Sequence, residues 1–370
     1  MMDALLAAVE ASDKGKALEY FNAAIENGHK AWDAHLSLFP VVQQVLNPPY
    51  INPHLPKMYG VCREFIPYLE AGEVTPLVRL EVGEYTRRSK LEKPTVGRHI
   101  KRAVPFAEIE AAIGADDREK AVTLLSAFHE KEGGRELARK LLLLGSGYLD
   151  QSLGHSVSCT AFILLEMLER PDQDPLPTLF ALAHYFCKGH FRTTPPLTTA
   201  DPSFSEETLA REILRASSGQ GFLGIHYTIT LYAVERVSHL LKADEQQHFL
   251  AACKAFIGQK ETRNVSLGAE ATPPAAGYDQ FYRAFSNLET MGTVKSLAGL
   301  TGSEAGRLLL GCFLIKGVCD LYNGTYDPHY LTGLGAALWA VNRFPGNSEI
   351  ATNALYQYVD FFFSALKSNR

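Results

Sequence analysis

Basic charge is not in surplus in this 370-residue chain: 36 Lys and Arg against 41 Asp and Glu leave a net charge of −5 and a pI near 6.2. That balance denies it the broad positive field on which nucleic-acid binding depends. Long apolar runs are missing as well; the run 161–168 is typical, whereas a helix needs ~20 apolar residues to cross a bilayer. The six cysteines, Cys62, Cys159, Cys187, Cys253, Cys312 and Cys319, are widely spaced. No disulfide framework is therefore expected, and buried reduced thiols are. The opening Met1-Met2-Asp3-Ala4-Leu5-Leu6 has neither a basic leader nor a long apolar segment, so a cytoplasmic location is the expectation.

Catalytic signatures are equally scarce. There is no His-Glu-x-x-His or Cys-x-x-Cys metal motif and no Gly-x-Ser-x-Gly elbow. Gly145-Ser146-Gly147 and Gly333-Leu334-Gly335 follow no strand, so they read as turn or packing glycines and no dinucleotide-binding domain is expected. Two Glu-x-x-His patterns, Glu26 with His29 and Glu245 with His248, have the spacing of half a di-iron carboxylate site. Gly28 ends one helix, and Glu245-Gln246-Gln247 looks like a polar helix start, so both pairs read as surface positions. The basic stretch 87–102 has no interleaved aromatics and reads as a solvated connector.

What the chain has in abundance is helical periodicity. Apolar positions recur three and four apart, and alternating β-branched segments between turns are absent, so the fold class is all-α. The pattern predicts helices over 4–10, 14–26, 32–46, 54–69, 76–85, 106–113, 118–130, 135–144, 155–168, 177–187, 206–216, 226–241, 245–257, 278–286, 304–321, 329–342 and 351–366. A single large domain is expected, with halves at 1–190 and 205–370. Residues 7–14 match 111–118, and Lys16-Ala17-Leu18 matches Lys120-Ala121-Val122. This suggests duplicated helical hairpins around a central cavity. The irregular stretches 189–202 and 262–277 would cover that cavity.

Four histidines occupy similar local settings, each at the N-terminal edge of an apolar helical run: His54, His155, His226 and His329. Asn52-Pro53 and Asp327-Pro328 are strong helix-start signals for the first and last. The positive end of a helix disfavours imidazolium and keeps the ring neutral, the form that binds metal ions. His54 and His155 are separated by 101 residues and His226 and His329 by 103, so equivalent helix starts would converge on one point. Three or four imidazoles suit iron, copper or zinc. His184 and Lys188, four apart, would face the same cavity. The competing reading is a non-catalytic helical-repeat scaffold or binding protein in which these histidines are buried caps.

The run Leu153-Gly154-His155-Ser156-Val157-Ser158 through Glu166, with Leu179-Phe180-Ala181-Leu182-Ala183-His184-Tyr185 after it, resembles the questin oxidase-like family. Asn52-Pro53-His54-Leu55-Pro56, Ile225-His226-Tyr227-Thr228 and Asp327-Pro328-His329 are similar to three further segments of that family, and the likeness spans about 52–358. The resemblance implies an all-α oxidoreductase, of monooxygenase or dioxygenase type, acting on an aromatic or polyketide-type substrate. Fungal members cleave an anthraquinone ring and are described as using NADPH or a non-haem iron. The family's iron site combines histidines with a carboxylated lysine, and the histidines carry over to His54, His155, His226 and His329. One departure stands out: three residues after the fourth histidine, where the family's lysine is expected, this chain has Thr332. Lys57, Lys188 and Lys316 are the substitutes considered. A changed metal, weaker binding or a lost activity are the consequences open at that point.

Overall fold

The computed structural model describes residues 1–93, 97, 100–199, 205–258, 261–267, 277–322 and 328–368. Among them are nineteen α-helices, two short 3₁₀ turns and no strand, so the protein is all-α. The helices are α1 (Met2–Glu10), α2 (Lys14–Glu26), α3 (Ala31–Val42), α4 (His54–Arg63), α5 (Val74–Thr86), α6 (Phe106–Gly114), α7 (Arg118–Glu132), α8 (Gly134–Ser146), α9 (Leu149–Ser152) and α10 (His155–Leu168). They continue with α11 (Leu176–Gly189), α12 (Glu206–Ser217), α13 (Gly221–Val237), α14 (Ala243–Ile257), α15 (Tyr278–Ser286), α16 (Thr290–Ala298), α17 (Glu304–Leu321), α18 (His329–Arg343) and α19 (Ser348–Ser368). No described helix is long and apolar enough to cross a membrane. The chain packs as two compact units: Met1–Gly60, Glu81–Ala200 and Ala233–Ala252 form one, and Val61–Leu80, Asp201–Tyr232 and Cys253–Arg370 the other.

In the first unit the matching segments of the sequence build matching corners. Asp13 caps α2 by accepting the Lys16 amide at 3.1 Å, and Asp117 caps α7 by accepting the Lys120 amide at 3.0 Å. Each cap satisfies an amide that the helix cannot pair internally. The residue before each cap, Ser12 or Asp116, is left-handed, with φ of 58° and 55°.

Two close helix approaches position the first histidine pair. A Cβ at Gly145 on α8 would lie 2.5 Å from the Ser156 carbonyl oxygen on α10, and Ser156 Oγ donates to the Gly145 carbonyl at 2.7 Å. At Gly60 on α4 a Cβ would lie 3.2 Å from Phe162 on α10. The chain enters α10 through two left-handed residues, Leu153 (φ 51°) and Gly154 (φ 76°). Only the second is a glycine; the leucine costs about 1–2 kcal/mol there. That sharp turn makes His155 the first residue of α10.

The second unit has an aromatic core along α15, α17 and α19: Phe281 lies 5.0 Å from Phe285, which stacks on Phe362 at 5.5 Å. Most predicted helices are present, with instructive differences. The predicted 54–69 helix breaks after Arg63 into a 3₁₀ turn at Ile66–Tyr68, because Pro67 lacks an amide hydrogen and disfavours a helical Ile66. Helix α16, unmarked by periodicity, is held by packing against α15 and α19.

Replacement of Gly145 by Ala drives a methyl into backbone rather than into a flexible side chain. The expected loss is about 1–3 kcal/mol, read as a lower urea midpoint with an unchanged slope. Unaltered stability would show that the α8–α10 approach is not a tight constraint.

Candidate metal centre

All four predicted histidines are buried, each no more than 4% exposed. Three stand where the sequence places them: α4, α10 and α18 begin at His54, His155 and His329. His226 does not. Helix α13 begins at Gly221, so His226 sits in its second turn, and its Nδ1 lies 2.7 Å from the Phe222 carbonyl oxygen four residues back.

In the first unit His54 and His155 meet edge to face, ring centroids 4.4 Å apart, with their Nε2 atoms separated by 2.6 Å. His155 Nδ1 lies 2.6 Å from the Ser152 carbonyl oxygen. A carbonyl only accepts, so this Nδ1 carries the hydrogen and Nε2 of the neutral ring is a bare lone pair. The same logic applies to His226 and Phe222 in the second unit, where the His226 and His329 centroids are 4.6 Å apart. Phe222 sets its ring edge-on to both, at 4.7 and 5.1 Å. A backbone carbonyl on Nδ1 is the usual partner that orients a metal-bound imidazole.

Each unit therefore carries one buried histidine pair, His54 with His155 in the first and His226 with His329 in the second. Two nitrogens bonded at ~2.1 Å to a common ion stand roughly 3.0–4.2 Å apart, so the 2.6 Å contact of His54 and His155 would have to open by small ring movements to reach ligand geometry. Neutral imidazole nitrogens of this kind are donors that transition-metal ions take.

The lysine substitutes separate clearly. Lys188 is exposed and pairs with Asp116 at 3.3 Å, while Lys316 pairs with Glu73 at 2.8 Å. Lys57 is wholly buried, one turn after His54 on α4. Thr332 is also buried, with its hydroxyl donating to the Pro328 carbonyl at 3.1 Å. Asp327 lies outside the described residues. Burial pushes the Cys159 thiol up to about 11, against the opposing pull of the Lys57 charge, so it remains protonated at neutral pH. All six cysteines are free, four of them buried and Cys312 and Cys319 half-buried.

Other expectations need correction. Glu26 and His29 are exposed as read, but Glu245 and His248 are buried. Glu245 pairs with Arg139 on α8, a partner far away in sequence. His248 Nδ1 accepts the Thr198 amide at 3.1 Å, and its Nε2 lies 2.8 Å from Ser146 Oγ. His184 Nδ1 lies 3.2 Å from Arg118 Nη1, and the Lys188 charge on the same helix also acts on its ring. Lys90, read as solvated, is half-buried and donates to Ser12 Oγ and to the Tyr85 and Arg88 carbonyls. In the stretch 189–202, residues up to Thr199 are described and are tied down through Tyr148, Glu110 and His248. The segment 268–276 of the other predicted cover lies outside the described residues.

Two groups escaped sequence reasoning. Asn47 places Nδ2 2.6 Å from His54 Nδ1. His35 is stacked between Trp32 and Tyr59, centroids 4.6 and 4.1 Å away, with Nδ1 2.8 Å from buried Glu81. Neither has a local pattern that marks it. Comparison with protein-family models, curated proteins and solved structures returned no match.

Burial lowers the pKa of His129, His184 and His248 from the ordinary 6.5. Their neutral forms are favoured on folding, so the associated stability is complete above about pH 6.5. It is lost as the pH falls toward the lowered folded values. The urea midpoint should drop between pH 7.5 and 5.5, and His248→Gln should shallow that drop; an unchanged pH slope in the variant would contradict the assignment.

Proposed function

We propose that His54, His155, His226 and His329 are ligands for a transition metal, iron on the strength of the family resemblance. On this reading the protein is a questin oxidase-like oxidoreductase acting on an aromatic or polyketide-type substrate. The observation that carries the proposal is the buried pairing of these rings within each unit, His54 with His155 and His226 with His329. Carbonyl partners that leave Nε2 of His155 and His226 as lone pairs support it. Iron bound there would supply the one-electron and O₂ chemistry that protein side chains lack. The substrate class, and NADPH as electron donor, rest on the resemblance alone.

The chain's own contribution is to keep four neutral imidazoles in place and away from bulk water. Neutral donors leave the ion's charge uncompensated in a buried setting, which is costly. Lys57 is the residue best placed to supply a negative charge: addition of its amine nitrogen to CO₂, with loss of a proton, gives a carbamate. Thr332, with its hydroxyl committed to Pro328, is a poor replacement for an anionic ligand. A carbamate on Lys57 would move the anion from the helix of the fourth histidine to that of the first.

Metal-stripped protein titrated anaerobically with Fe²⁺ should take up iron. His155→Ala and His226→Ala should each weaken uptake by at least about ten-fold, as should Lys57→Met. Metal content unchanged across the two histidine variants would favour the scaffold reading, with the rings serving as buried caps.

A further inference from the structure

The irregular segment between α3 and α4 brings one more polar side chain onto the first histidine pair. Asn47 is buried, its Nδ2 lies 2.6 Å from His54 Nδ1, and its Oδ1 is enclosed without a hydrogen-bond donor. Building on the four-histidine reading, we propose that Asn47 is a positioning residue that decides which nitrogen of His54 carries the proton. One orientation of its amide serves the ion-free pair and the reversed orientation serves an occupied site.

What each atom is able to donate fixes the tautomers. An amide N–H only donates, so in the observed orientation His54 Nδ1 is the acceptor and the neutral ring carries its hydrogen on Nε2. That hydrogen lies on the 2.6 Å line to His155 Nε2, which is a bare lone pair because His155 Nδ1 donates to Ser152. The chain Asn47 to His54 to His155 to Ser152 is thus donor to acceptor at every link. Its one unmet group is Asn47 Oδ1.

A cation shared by the two rings requires a different arrangement. His54 must present a lone pair at Nε2, so its hydrogen moves to Nδ1 and needs an acceptor there. Turning the Asn47 amide by about 180° around its terminal, broadly two-fold torsion delivers Oδ1 to that position. The oxygen that lacked a donor then receives one. His54 stays neutral throughout, so the change is a tautomer shift with no net uptake or release of a proton by this ring. Asn47 thereby exerts a cost on metal entry, because the hydrogen-bonded ion-free chain must be broken first.

Two variants separate this role from simple packing. Asp at position 47 only accepts when ionised, so Asn47→Asp should hold His54 in the Nδ1–H form without metal and tighten Zn²⁺ and Fe²⁺ binding by about ten-fold. Asn47→Leu keeps the volume but offers no hydrogen bond, and should weaken binding by about ten-fold, within the range found for lost partners of metal-binding histidines. The direct readout is long-range ¹H–¹⁵N spectroscopy of ring-labelled histidine, with His54 assigned through His54→Gln. Metal-free wild-type protein should show His54 as Nε2–H, and the Zn²⁺-loaded protein as Nδ1–H. An Nδ1–H tautomer in metal-free wild-type protein, or equal metal affinity in wild type and both variants, overturns the proposal. Wild-type protein that takes up no metal overturns the four-histidine reading and the second orientation with it, whereas the metal-free tautomer is decided by its own spectrum.

Discussion

Two imidazole nitrogens 2.6 Å apart in a buried interior cannot both present lone pairs to one another. The contact between His54 and His155 persists only with a proton on the line between them, and the nitrogens must separate to share a metal ion. Much of the surrounding first unit serves to impose that contact. The Leu153-Gly154 turn aims His155, Gly60 lets α4 close on α10, Gly145 lets α8 support α10 from behind, and Ser152 and Asn47 take the outer nitrogens. The local strain at Leu153 is of the kind that folded structures retain where a side chain must be held at a functional point.

The second unit reaches a related arrangement by a different route. His329 opens its helix, but His226 lies inside one and takes its orientation from the Phe222 carbonyl. Helix position is therefore not the property the rings share. Burial, a ring partner and, for two of them, a carbonyl on Nδ1 are. The positive end of a helix lies beside His54, His155 and His329, which open their helices, and not beside His226.

Much of the fold was legible in the residues because helix periodicity and caps are local. Asp13, Asp117 and the prolines before His54 and His329 mark helix starts within a turn or so. Helix α16 was not legible: Thr290, Gly292 and Thr293 lower its intrinsic propensity, and contacts from α15 and α19 compensate. All four candidate histidines were singled out by a helix-start pattern, which holds for His54, His155 and His329 but not for His226. Their tautomers were not legible, since these depend on carbonyls and an amide placed by the folded backbone. Asn47 precedes two prolines in a segment without periodicity, and Glu245 looked like a solvent-facing helix start because its partner, Arg139, is 106 residues away. Long-range polar pairing of this kind leaves no trace in spacing.

The central claim is that these imidazoles are metal ligands, and X-ray absorption at the iron edge of anaerobically loaded protein addresses it directly. The account predicts a nitrogen shell at ~2.1 Å with outer-shell scattering from imidazole rings. A shell of oxygen ligands without imidazole scattering, or protein that retains no iron, would contradict it.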